Sequence, residues 1–115
     1  MSATVSIQVM DLTRGVPAAG LLVEVYALDE GRRRIAGGVL GPRGTLEDPR
    51  LDGLGRGVYE LVVHVAAFYR RLGHELPDPP FLDAMPLRIG VADPAGHYHL
   101  PIKITPWGLS LFRGG

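Results

Sequence analysis

Cysteine is absent from the 115 residues, which excludes disulfides, thiolate metal ligands and cysteine nucleophiles together. Net charge is absent as well: twelve acidic and twelve basic side chains cancel. No whole-molecule field therefore favours nucleic acid or an anionic membrane as a partner. Lysine is almost missing, Lys103 being the only one. No apolar run approaches the roughly 20 residues that a membrane-spanning helix needs. The opening MSATVSIQVMD alternates instead of forming the apolar stretch of a secretion signal, so a cytoplasmic protein is expected. There is no internal repeat, low-complexity segment or linker, and residues 1–115 read as one domain.

What is present is ordinary globular composition, 46% hydrophobic and 21% charged, enough apolar surface to build a core. Thr4 to Met10 sets Val5, Ile7 and Val9 against Thr4, Ser6, Gln8 and Met10, the period of a half-buried strand. Leu21 to Leu28 and Val58 to Val65 are rich in Val and Leu and read as strands. Arg34 to Leu40 is a weaker strand, because Gly37 and Gly38 suggest an edge or a bulge. The glycine-rich stretch from Gly41 to Gly57 reads as loop with at most a short strand inside it. Ala66 to Leu72, stopped by Gly73, has the composition and terminator of a short helix. Met85 to Val91, Tyr98 to Ile104 and Leu109 to Phe112 complete the set, with turns at Asp93 to Gly96 and Thr105 to Gly108. Seven to eight short strands with one short helix near residues 66–73 predict an all-β, two-sheet sandwich.

The chain ends in HYHLPIKITPWGLSLFRGG, which resembles the closing motif H-Y-H-V-P-L-L-L-S-P-F-G-Y-S-T-Y-R-G-S of the transthyretin and 5-hydroxyisourate hydrolase family. The opening SIQVMDLTRGVPAAGLLVEVYAL is similar to that family's S-T-H-V-L-D-x-x-x-G-x-P-A-x-G-L-x-V-x-L. GVYELVV followed by AAFYRRLG looks like its strand and short helix, and only Gly31 to Arg56 lacks a clear counterpart. The resemblance implies a transthyretin-like sandwich assembled as a homotetramer, a dimer of dimers, with two sites in a channel at the subunit interface. It implies either hydrolytic opening of 5-hydroxyisourate in urate degradation, with no obligatory organic cofactor, or carriage of a small aromatic ligand. Fold alone does not choose between these, so the channel residues must.

Strand periodicity puts His97, His99, Pro101 and Lys103 on one face, and the resemblance turns that face into the channel. His99 stands at a catalytic position of the hydrolases, where a neutral imidazole exchanges protons with water and a leaving nitrogen. At the family's other catalytic histidine this chain has Gln8, which orients water or bonds a carbonyl but carries no proton near neutral pH. The family's site arginine falls by alignment on Gly44, making neighbouring Arg43 the candidate and Arg50 a poorer one; its work is to steady negative charge on the opening ring. The tail keeps Arg113 and places Ser110 and Phe112 beside the site, so Ser110, Phe112, Arg113 and His97 are expected to contact substrate. Lys103 replaces a family leucine, and an ammonium on an enclosed face must be paired, neutralised or bound to an anion.

Three readings stay open. One is a hydroxyisourate hydrolase built on His99, Gln8, Lys103 and Arg43. A second is a repurposed enzyme using His99 and Lys103 on another small cyclic or carbonyl substrate. The third is a ligand carrier without chemistry. His97 and His99 share a strand face, but no carboxylate completes a metal set in the sequence, so no metal is expected. His64 and His74 have no ligand spacing. GPRG and GLGRG are too short and badly placed for phosphate loops. Trp107 follows Pro106 in a turn and is expected to pack.

Overall fold

The computed structural model describes residues 3–115. Strand β1 (Ala3–Asp11) buries every second residue from Ala3 to Asp11 and leaves Thr4, Ser6, Gln8 and Met10 half-buried on its other face. The remaining strands are β2 (Val16–Pro17), β3 (Leu22–Ala27), β4 (Arg33–Val39), β5 (Asp52–Leu54), β6 (Gly57–His64), β7 (Ala84–Val91), β8 (His97–Thr105) and β9 (Gly108–Leu111). The sandwich is the one the alternation predicts. Of the nine strands among the described residues, seven are those expected, β5 is the short strand allowed inside Gly41 to Gly57, and β2 was not expected; β2 and β5 are two and three residues long. They lie in segments read as loop, where glycine and proline hide pairing made only by docking against β1.

One sheet has the order β2-β1-β8-β9, with β5 paired to the start of β1; the other is β4-β3-β6-β7. Their inward side chains join in one core, in which Ile7, Val9, Leu100 and Ile102 from the first sheet meet Val23, Val25, Leu61 and Val63 from the second. The β1–β8 ladder is parallel and keeps unbroken register from Thr4 opposite His97 to Asp11 opposite Ile104. The other ladders among the described residues are antiparallel.

Helix α1 (Val65–Arg71) continues directly from β6 and buries Val65, Ala66, Phe68 and Tyr69. It ends as the sequence predicts: Gly73 adopts φ +89°, and the His74 amide reaches back to the Tyr69 carbonyl at 3.0 Å, closing the last turn as a glycine cap does. Trp107 departs from expectation. It is 61% exposed, because the tight β8–β9 turn holds it clear of the core, and its ring neighbour is the equally exposed Phe81 at 6.2 Å.

The helix is fastened to the first sheet through a buried acid. Asp11 occupies an inward position where alternation calls for an apolar residue and is fully buried. Tyr69 Oη donates to its Oδ1 at 2.6 Å, Arg14 Nε to Oδ2 at 2.7 Å, and the Thr13 amide to Oδ1 at 3.0 Å. Burial pushes the Asp11 carboxyl up, and those hydrogen bonds together outweigh it, holding the group below its usual range. Such a carboxylate contributes stability above its unfolded pKa, and that contribution is lost as pH falls through the lower folded value. Two outcomes are expected in urea titrations. Tyr69→Phe lowers stability by about 1.5–3 kcal/mol, the loss of one hydrogen bond to a buried carboxylate whose Oδ1 keeps the Thr13 amide. Asp11→Asn removes part of the stability loss that the parent protein shows as pH drops below about 4.

Candidate functional site

In-register pairing of β1 and β8 sets outward side chains side by side: Thr4 with His97, Ser6 with His99, Gln8 with Pro101, and Met10 with Lys103. Strand β9 and the tail beyond it extend these rows. Ser110 stands opposite Lys103; the Phe112 amide donates to the Pro101 carbonyl at 3.4 Å and the Gly114 amide to the His99 carbonyl at 2.7 Å. The face thus carries three parallel rows: Ser6, His99 and Gly114; Gln8, Pro101 and Phe112; Met10, Lys103 and Ser110.

His99 is held from both sides. Its Nδ1 lies 2.8 Å from Ser6 Oγ on β1. On the tail side, a methyl group added at Gly114 would stand 3.0 Å from both His99 Cδ2 and Pro101 Cγ, so a side chain there would have to push the ring or the tail aside. With Nδ1 toward β1 and Cδ2 toward the tail, the distal edge of the ring, carrying Nε2, points away from the sheet. The ring is half-buried.

Gln8 Nε2 donates to the Arg43 carbonyl at 3.3 Å, which leaves Oε1 to accept. The loop bearing Arg43 reaches β1 because Gly44, at φ +72°, lies against the Val9 carbonyl where any Cβ would collide. The Val9 amide donates to the Gly44 carbonyl at 2.8 Å, and Thr45 forms a bridge directly opposite Gln8. Arg43 therefore approaches the row through its backbone, while its side chain is exposed. Arg50 is engaged elsewhere: its Nη2 donates to Asp48 Oδ2 at 2.7 Å, and that bond, first among several, holds the Asp48 carboxyl well below its usual range.

His97, Lys103, Ser110 and Phe112 are exposed on or beside this face. On a single chain Lys103 is solvated, so the cost of enclosing an ammonium arises only when another surface covers it. Arg113 is not brought to the others. Its guanidinium lies 4.0 Å over the Tyr98 ring, on the core side of β8, and its Nη2 donates to the His97 carbonyl at 3.3 Å. Beyond Ser6 an open groove of about 360 Å³ is lined in part by Thr4, Ser6, Glu47, Asp48 and Asp52. One flank of the site is thus acidic and the Lys103 flank basic. Among the described residues no group of three or more His, Asp and Glu is placed to hold a metal ion. None of their helices is long and apolar enough to cross a membrane.

Ser6 and Thr45 were not among the candidates from sequence. Alternation puts Ser6 on the face of Gln8, but its contact with His99 depends on the register of two strands 93 residues apart. Thr45 depends on loop docking, which has no periodic signal.

A two-sheet sandwich with this strand order, carrying a histidine on the outer face of its β1–β8 ladder, is the transthyretin type of fold. The model of the HIUase/Transthyretin family matches residues 5–114, and the chain belongs to that family. It is 39% identical over 116 residues to 5-hydroxyisourate hydrolase 2 of Rhizobium meliloti, covering 98% of this chain and 97% of that protein. It is 37% identical over 118 residues to 5-hydroxyisourate hydrolase of Halalkalibacterium halodurans, covering 99% of each. Among solved structures, Klebsiella pneumoniae 5-hydroxyisourate hydrolase superposes over the full length of both chains with a TM-score of 0.80 at 26% identity. An (S)-allantoin synthase superposes with a TM-score of 0.90 at 30% identity, covering 98% of this chain but only 44% of that one.

The tail's dependence on Gly114 is directly measurable. Gly114→Ala is expected to raise hydrogen exchange at amide 114 about tenfold, the loss of roughly one hydrogen bond's protection. Unchanged exchange would mean that the tail is not seated on His99.

Proposed function

We propose that the protein hydrolyses 5-hydroxyisourate at the outer face of the β1–β8–β9 sheet, with the single domain of residues 1–115 as protomer. The observation that carries this reading is His99, braced on two sides and with no hydrogen-bond partner at its distal nitrogen among the described residues. Relatives of the same length that bear the name of that activity support the choice of substrate.

In this scheme water adds to a ring carbonyl while His99 Nε2 takes its proton. The carbonyl re-forms as the ring C–N bond breaks, and His99 returns the proton to the leaving nitrogen. Gln8, its amide nitrogen engaged by Arg43, offers Oε1 to orient the water. Lys103 and the Arg43 guanidinium offset charge developing on the carbonyl oxygen. Phe112, Ser110 and His97 flank the ring, and Arg113 acts at one remove, bracing Tyr98 and the His97 carbonyl.

The proposed assembly is a homotetramer in the cytoplasm, in which a second copy covers this face. Leu12, Trp107 and Phe112 are each more than half exposed on one chain, large apolar groups of the kind that interfaces cover. A covered face also gives Lys103 the enclosed setting in which its charge matters.

Gln8 and Lys103 favour a second reading, in which the same face acts on another small cyclic or carbonyl substrate. A carrier without turnover is the third. Freshly generated 5-hydroxyisourate, followed by its ultraviolet decay, tests the proposal: the protein is expected to accelerate decay, and His99→Ala to lower that acceleration by roughly 10²–10⁴-fold. Decay at the spontaneous rate in the presence of the parent protein would exclude this substrate. Loss of some other measured turnover in Lys103→Leu would then favour the second reading, and binding without turnover the third.

A further inference from the structure

We infer that Ser6 is a positioning residue for His99: its hydroxyl accepts the Nδ1 hydrogen and so holds the ring in the tautomer whose Nε2 is a base. The assignment rests on the proposed role of His99 and adds a residue that this role requires. A neutral imidazole carries one hydrogen, and the partner of one nitrogen decides the state of the other. Unconstrained histidine prefers the hydrogen on Nε2, a form in which the outward nitrogen is a donor and cannot take a proton from water. Reversing that preference requires an acceptor at Nδ1.

Ser6 supplies one at 2.8 Å. Its placement is fixed by the backbone, since Ser6 and His99 are register partners in the parallel ladder. The ring has little freedom to leave, because the Gly114 backbone closes on its Cδ2 side. Ser6 is half-buried, so water can take its own hydroxyl hydrogen, whereas Nδ1, turned toward β1, faces Ser6. A serine has two lone pairs to offer and one side-chain torsion to fix. With glutamine at position 8, the row of Gln8, Pro101 and Phe112 holds no imidazole, and the one in the row on the other side, His97, is exposed. The hydroxyl of Ser6 is the group in hydrogen-bonding contact with the ring.

Nitrogen-15 spectra of histidine-labelled protein, recorded at alkaline pH where imidazoles are neutral, read the tautomer without any substrate. The parent protein is expected to show the Nδ1–H form at His99, and Ser6→Ala a shift toward Nε2–H. Ser6→Thr and Ser6→Val supply an isosteric pair suited to a strand: threonine is expected to keep the Nδ1–H form and valine to lose it. Where 5-hydroxyisourate is turned over, kcat is expected to fall about tenfold in Ser6→Ala and Ser6→Val with KM little changed. That is less than the roughly 10²–10⁴-fold cost of losing general-base catalysis outright. Ser6→Thr restores most of it. An Nε2–H tautomer in the parent protein, or a tautomer that stays the same in both Ser6→Ala and Ser6→Val, would overturn the assignment. A tautomer shift in a protein that leaves 5-hydroxyisourate at its spontaneous rate would uphold Ser6 as the positioning group and reject the substrate.

Discussion

The parallel ladder between β1 and β8 is the contact on which the molecule's chemistry depends. It joins residues about ninety positions apart and runs without a bulge. Every side chain on one strand therefore has a fixed neighbour on the other. A slip of one residue would turn Ser6 and Gln8 into the core and Val5 and Ile7 out to solvent, which the hydrophobic pattern forbids. Core packing on one side of the sheet thus sets the geometry of the polar rows on the other. The loop at Gly44 and the tail at Gly114 then close on those rows from opposite sides, the first needing a residue without a side chain at the point of contact and the second leaving little room for one.

Stability and site share this ladder but use different ends of it. At Asp11, opposite Ile104, the inward side chain is an acid whose hydrogen bonds tie β1 to the helix. Five residues earlier, Ser6 faces outward and meets His99. The first contact answers the cost of burying a carboxylate. The second orders a ring that remains accessible. Sheet strands give this separation naturally, because alternate residues belong to different environments.

Much of this was legible in the chain. Alternation in ATVSIQVMD and HYHLPIKIT marked the inward and outward residues of β1 and β8, and Gly73 marked the end of the helix. The outward position of His99, Lys103 and Gln8 follows from the same period. Contacts across strands were not legible: neither the Ser6–His99 pair nor the seat of Gly114 has any local signature. Arg113 shows the limit of motif matching, since its place in the tail resembles the family's, yet the odd step in alternation from Ser110 and Phe112 sends it to the Tyr98 side. The segment from Gly41 to Gly57 resisted reading because its order comes from β1, against which Thr45 and β5 are laid.

The proposed function requires these rows to bind a purine-derived ring at His99. A crystal structure of the protein with a stable urate analogue tests it most directly. The analogue is expected against the β1–β8–β9 face, hydrogen-bonded to His99 Nε2 and Gln8 and within reach of Lys103, with a second copy of the chain covering it. An analogue bound away from this face, or a face left empty at saturating analogue, would contradict the account.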